Sequence, residues 1–332
     1  MRARGVLRAA ELGTGELSAE ALARLARPDP PVTHAMPDLA DRSAAGVAAV
    51  AAWRAAEHES WGEGVEAGEP AHVAVRVAGV PCLRADGPDA DDPGRVTVLY
   101  LHGGGYCLGS PGVAVPITAR LARFVDVVSV DYRLAPEHPH PAGLDDAWAV
   151  YLALARQGPV ALAGDSAGGG LALGVALRSV AAGRDPGQRE RPRPPVALLL
   201  LCPHLDHAVP ARGGPAGAEV AAMSAAYLAG RDPLEPDVSP LRARSKLLAG
   251  LAPTLVQTGS ADHLFRQAAR FARRARGAGA PVTLDVWDGL WHTWHYHRGL
   301  PEADAALAEA AAFLRAASQV EVAEAARRSS AR

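Results

Sequence analysis

The chain has 332 residues, 49% apolar and 21% charged, a globular composition that excludes wholesale disorder and allows a sizeable buried core. A net charge of −2 excludes a broad basic face for nucleic acid or anionic membrane, and no apolar run is long enough to be a membrane span. Three widely spaced cysteines, Cys82, Cys107 and Cys202, suit a reducing compartment and predict no disulfide framework. The basic start Met1-Arg2-Ala3-Arg4 is not followed by a signal-peptide apolar core, so a soluble, cytoplasmic protein is expected.

Residues 1–30 end in Arg27-Pro28-Asp29-Pro30-Pro31 and are expected to form a flexible arm with one helix at most. Within residues 31–70 the stretch 38–61 is helical in pattern, with Leu39, Val47, Val50 and Trp53 on one face. Alternation over 73–80 predicts one half-buried strand. Beyond a turn-rich loop at 87–94 come short apolar runs at 96–101, 125–130, 160–163, 196–201, 254–257 and 282–287. These suit strands buried on both faces of a mainly parallel sheet. Helix-sized segments at 115–124, 144–155, 171–182 and 267–276 lie between most of them, which predicts an α/β fold with right-handed crossovers over residues 71–318. An insert at 205–250 has room for extra helices near 216–229 and 242–248. A last helix is expected over 302–317, with a frayed tail at 319–332.

The sharpest motif is Gly164-Asp165-Ser166-Ala167-Gly168, placed directly after one predicted strand and before a helix. A nucleophile must project from the sheet beside a helix N-terminus, and a strand-turn-helix elbow with small flanking residues achieves this. A plain glycine-rich turn capped by Ser166 is the bland alternative. The second motif, His102-Gly103-Gly104-Gly105-Tyr106, follows the 96–101 strand. Consecutive glycines allow successive N–H groups to turn toward one point, as an oxyanion hole requires. A dinucleotide-binding turn fits less well, because Gly103, Gly105 and Gly109 miss the required spacing. A serine nucleophile needs a base and an orienting acid, which in this chain order follow it. If 96–101 is the third strand, the loop after the seventh carries Asp262 and the loop after the eighth carries His292. His292 with His295 could instead be a metal pair, but no H-E-x-x-H motif accompanies them, and no metal is expected. Asp206 follows the sixth strand, too early in the order, and is expected to be structural. His102 is expected to hold its own loop.

These residues, with Asp131-Tyr132-Arg133-Leu134-Ala135-Pro136-Glu137 in register between them, resemble the hormone-sensitive-lipase-like (family IV) esterases of the α/β-hydrolase superfamily. The resemblance spans about residues 96–314 and implies an α/β-hydrolase fold with a helical cap, built from the 38–61 helix and part of the 205–250 insert. It implies a serine carboxylic-ester hydrolase acting on short- to medium-chain acyl esters without a cofactor. Ser166 would be the nucleophile, His292 the base and Asp262 the orienting acid. The oxyanion hole would come from Gly103, Gly104, Gly105 and Ala167, with Gly103 shaping the loop and the other three donating. Arg133 and Glu137 would hold active-site loops. Tyr106, Leu108, Tyr227, Trp291 and Trp294 are candidates to line the substrate pocket, each with core packing as its alternative. The expected partner is a small-molecule ester, with a homodimer left open. The chain departs from the family at Gly289-Leu290-Trp291-His292-Thr293-Trp294, where Gly-Met-x-His-Gly-Phe is usual, and at Arg266-Gln267, where an Asp-Glu pair is usual. Both changes alter the pocket wall. An acyltransferase or lactone-processing enzyme with the same triad is the alternative. A non-catalytic receptor on this fold is disfavoured by the presence of all three triad residues.

Overall fold

The computed structural model describes residues 17–25, 35–61, 64–88, 95–185, 187, 191–209 and 215–330. Helices α1 (Ala19–Leu25) and α2 (Ala44–Trp61) precede strands β1 (Val73–Val77) and β2 (Val80–Ala85). The single strand expected over 73–80 is in fact a hairpin. Ala78 and Gly79 take positive φ of 51° and 81°, which turns the chain back in a two-residue loop matched to strand twist. The returning strand carries Pro81, a residue that hides a strand from pattern reading.

The rest alternates strand and helix: β3 (Thr97–Leu101), α3 (Val115–Ala122), β4 (Asp126–Val130), α4 (Ala142–Gln157), β5 (Val160–Asp165), α5 (Ala167–Arg184) and β6 (Ala197–Leu201). Helices α6 (Pro215–Leu228) and α7 (Ser245–Leu248) occupy the insert. Then come β7 (Thr254–Gly259), α8 (Phe265–Gly277), β8 (Val282–Trp287) and α9 (Pro301–Ser330). The eight strands among the described residues form one sheet in the order β1-β2-β4-β3-β5-β6-β7-β8, parallel from β4 to β8, with β1 and β2 as an antiparallel edge. This is the mainly parallel α/β sheet that the pattern of runs implies, in the arrangement expected from the resemblance to α/β-hydrolases.

Side chains of β3 divide between two cores, as alternation on a sheet covered on both faces requires. Leu99 and Leu101 join Val150 of α4, Leu171 of α5 and Phe271 of α8, with Val50 and Trp53 of α2 in the same cluster. Val98 and Tyr100 join Ile117 and Leu121 of α3 and Leu307 and Leu314 of α9. A third cluster gathers Cys202, Leu290, Trp294, Leu300 and Ala21. Ala21 brings α1 into contact with the chain's C-terminal half, and Ser18 bonds Glu302 through its N–H at 2.6 Å and its hydroxyl at 2.8 Å. Residues 17–25 of the expected arm are therefore docked, with α1 within them, while the rest of 1–30 lies outside the described residues. Helix α9 continues past the expected end at 317 to Ser330, consistent with the Ala- and Glu-rich composition of that stretch.

Candidate active site

The carboxyl ends of β3, β5, β7 and β8 meet at one place. Strand β5 ends at Asp165 and α5 begins at Ala167, leaving Ser166 alone on the turn with φ 50° and ψ −117°. Positive φ costs a non-glycine residue about 1–3 kcal/mol unless its surroundings hold it. Here the Ser166 N–H donates to the Leu201 carbonyl at 2.9 Å, and the His204 N–H donates to the Ser166 carbonyl at 2.8 Å. A Cβ on Gly164 would overlap the Gly168 carbonyl and one on Gly168 the Leu101 carbonyl, so no side chain fits on either flank.

His292 Nε2 lies 2.9 Å from Ser166 Oγ, and its Nδ1 lies 2.8 Å from Asp262 Oδ1. Asp262 is fully buried. It also accepts the Leu264 N–H at 2.8 Å and the Thr258 hydroxyl at 3.2 Å. Burial alone would raise its pKa, but the charge and hydrogen bond of His292 and the Leu264 N–H bring it down to about 2. Burial likewise works against a charged His292, yet the Asp262 carboxylate outweighs it and raises the imidazole above its ordinary value. Neighbouring His263, ring centroid 4.3 Å from His292, is pushed down to about 4 by burial, and His204 to about 3. A neutral ring beside the pair leaves Asp262 to His292.

Asp206 is occupied elsewhere: Arg242 Nε donates to it at 3.0 Å and the Ala208 N–H at 3.0 Å. His102 accepts a structural place too, stacked on Tyr132 at 4.2 Å with Nδ1 2.8 Å from the Gly103 carbonyl oxygen. His295 is fully buried against Trp294, its ring centroid 3.9 Å from the indole. Ligand atoms of Cys202, Asp262 and His292 lie within 4.8 Å of one another, the closest approach to a metal-binding set among the described residues. Two of its three members are already bonded to each other.

The oxyanion loop is partly as expected. Gly104 and Gly105 take φ of 114° and 59°, and no described residue accepts a hydrogen bond from their N–H groups or from that of Ala167. The Gly103 N–H donates to Asp165 Oδ1 at 3.0 Å, which suits the loop-shaping role given to it and leaves it no free donor for the hole. Of the pocket candidates, Tyr106 and Tyr227 stack at 3.9 Å, and the Tyr106 hydroxyl donates to the His204 carbonyl at 3.2 Å. Leu108 belongs to the main core. Trp291 is half-buried, its indole N–H donating to His297 Nε2 at 3.2 Å. Trp294 is a correction: it is fully buried in the third cluster, packed with Ala21, Leu290 and Leu300.

Sequence reading missed Arg54. From α2 it donates to the Cys107 carbonyl at 2.7 Å and forms a two-pronged pair with Glu137 at 2.7 Å. It thus ties the oxyanion loop to the 131–137 segment. Arg133 instead pairs with Asp146 on α4 at 2.8 Å. No periodicity marks such a residue, since its partners are carbonyls and a carboxylate far along the chain.

Residues 98–296 match the α/β-hydrolase fold family. The chain is 39% identical over 237 residues to a Streptomyces hygroscopicus protein named acetyl-hydrolase, covering 67% of this chain and 76% of that one. It is 33% identical over 257 residues to an Acinetobacter venetianus esterase, covering 72% and 80%. Among solved structures, an esterase/lipase from an uncultured bacterium superposes with a TM-score of 0.75 at 27% identity, covering 91% of this chain and 100% of that one. An esterase of the bacterial hormone-sensitive lipase family does so at 0.71 and 33% identity, covering 80% and 91%. The chain belongs to the α/β-hydrolase family, as a hormone-sensitive-lipase-like esterase.

Proposed function

We propose that the chain hydrolyses carboxylic esters of short to medium acyl length through an acyl-enzyme on Ser166. The observation that carries this reading is the unbroken relay Asp262–His292–Ser166, with spacings of 2.8 and 2.9 Å, on a strained elbow. Neutral His292 takes the Ser166 proton through Nε2 as Oγ attacks the ester carbonyl carbon. The carbonyl π electrons move to oxygen, which the N–H groups of Gly104, Gly105 and Ala167 receive. Each such donor is worth about 10²–10³ in rate. The imidazolium, held by Asp262, gives its proton to the leaving alcohol as the C–O bond breaks. Water then attacks the acyl carbon as His292 takes one of its protons; the C–Oγ bond breaks, His292 returns the proton to Ser166 Oγ, and the carboxylic acid is released. The relative named acetyl-hydrolase favours the short end of the acyl range. Aryl esters of graded acyl length, assayed with product mass spectrometry, test substrate and reaction together. A fluorophosphonate that labels wild type and not Ser166→Ala is the expected result, and labelling of both at one rate removes the assignment.

A further inference from the structure

The carboxylate of Asp165 takes no part in those steps, yet it is 1% exposed and collects donors from three elements. Its Oδ1 accepts the Tyr100 hydroxyl of β3 at 2.7 Å and the Gly103 N–H of the oxyanion loop at 3.0 Å. Its Oδ2 accepts the Tyr296 hydroxyl at 3.1 Å. Tyr296 lies four residues past His292, in the short turn Trp294–Tyr296. One carboxylate, adjacent in sequence to Ser166, therefore reaches both the loop that carries the hole donors and the loop that carries the base. A Cβ on Gly103 would overlap Asp165 Oδ2, so the oxyanion loop lies directly on this carboxylate.

We propose that Asp165 is a positioning residue that holds the oxyanion loop and the histidine loop in register with Ser166, through the Gly103 N–H and the Tyr296 hydroxyl. The inference rests on the serine-hydrolase reading above and deepens it. No arginine or lysine pairs with Asp165 among the described residues, and a buried carboxylate with no cation is costly to keep for stability alone. Its three donors are what offset that cost. Burial raises its pKa to about 6 against the opposing pull of Tyr100, Tyr296, His292 and the Gly103 N–H, and each of the three donors finds a carboxylate oxygen. The titratable groups facing it are Tyr100, Tyr132, His292 and Tyr296, and burial holds the phenols above their ordinary range. Among these groups His292 is the one whose charged form the Asp165 carboxylate favours. Displacing reacting groups by about 1 Å costs about 10²-fold in rate, which is the scale a lost anchor should reach.

The test compares wild type, Asp165→Asn, Tyr296→Phe and Ser166→Ala in p-nitrophenyl acetate hydrolysis and fluorophosphonate labelling, after circular dichroism. Asparagine keeps the size of the side chain and gives up one acceptor and the charge. Folded Asp165→Asn should lose about 10–100-fold in kcat with little change in KM. Its acid limb should move to lower pH, because the Asp165 charge no longer favours the His292 imidazolium. Tyr296→Phe, which cuts only the histidine-loop arm, should lose about 3–10-fold in kcat. Wild-type kcat and an unmoved acid limb in folded Asp165→Asn would overturn the proposal. If Asp165→Asn does not fold, Tyr296→Phe decides, and a wild-type kcat there overturns it. Labelling of Ser166→Ala at the wild-type rate would instead remove the serine-hydrolase reading, and this inference with it.

Discussion

At the scale of single residues the site is an arrangement of two buried carboxylates with opposite protonation behaviour. Asp262 faces an imidazole and two further donors and is held at about 2, whereas Asp165 faces phenols and one amide and rises to about 6. The difference lies in contact: His292 hydrogen-bonds Asp262 directly, whereas it acts on Asp165 only through its charge. Asp262→Asn leaves the geometry but stabilises the wrong His292 tautomer, and kcat should fall by about 10⁴-fold, the size seen in serine-protease triads. Asp206→Asn should lower Tm through its Arg242 pair and leave kcat of the folded protein near wild type. Steady-state kinetics beside thermal melts separate the two. The pH dependence has a definite sign. Only neutral His292 accepts the serine proton, and Asp262 raises the pKa above the ordinary 6.5, so activity should fall on acidification with a midpoint above that value. A kcat/KM profile flat from about pH 5 to 9 would contradict a histidine base.

At the scale of elements, the helices outside the sheet act through a few polar pins. Helix α2 contributes Arg54, whose guanidinium binds the Cys107 and Ala135 carbonyls and both oxygens of Glu137. Helix α6 lays Tyr227 on Tyr106 and Met223 over Gly105. The two helices of the expected cap thus both touch the loop that carries the oxyanion donors. Arg54→Ala leaves the Glu137 carboxylate unpaired and should cost about 1–3 kcal/mol of stability, read by urea unfolding. Kinetically it should lower kcat by freeing the loop. Arg54→Lys should recover little, because an ammonium cannot serve two carbonyls and a two-pronged carboxylate at once. Recovery to wild-type activity in the lysine variant would mean that charge, and not the planar fork, is what α2 supplies.

At the scale of the whole molecule, three clusters of buried side chains among the described residues divide the labour. Two cover the faces of the sheet, and the third lies under the loop that carries His292 and is closed by α1 and the start of α9. Truncations in the different clusters should therefore have different signatures. Leu314→Ala on α9 removes buried apolar volume from the second cluster and should cost about 2–5 kcal/mol with kcat of the folded fraction retained. Trp294→Ala empties the third cluster, should cost about 3–5 kcal/mol, and should also lower kcat because His292 sits two residues away. Melting curves with activity normalised to folded protein check both. Equal kcat in the two variants would show that the third cluster does not stiffen the histidine loop.

How much of this could be read in advance follows from the range of each interaction. Ser166 lies in a motif whose meaning is local, since a strand, a turn and a helix N-terminus are all written within a dozen residues. Asp262 and His292 could be named because a parallel sheet forces each loop to the same edge, so strand counting stands in for distance. The fold class was legible for the same reason: apolar runs at strand length recur between helix-length segments. Three things were not legible. The hairpin at Ala78-Gly79 was hidden by a proline in its second strand. Gly103 was set apart as the glycine that shapes the loop, but only the fold shows that the Asp165 carboxylate is what takes its N–H. Trp294 carries an aromatic ring at a pocket-like spacing, but Ala21 and Leu300, from opposite ends of the chain, enclose it. Local backbone geometry and the two-state alternation of a buried sheet are properties of short segments, so the sequence by itself determined the sheet and the edge where its loops meet. Which donors are free, which carboxylates are paired and which aromatics are walled in depend on groups up to 284 residues apart, as in the bond from Ser18 to Glu302. Those the tertiary structure alone decided, because a hydrogen bond or a filled cavity is set by distance in space and leaves no period in the chain.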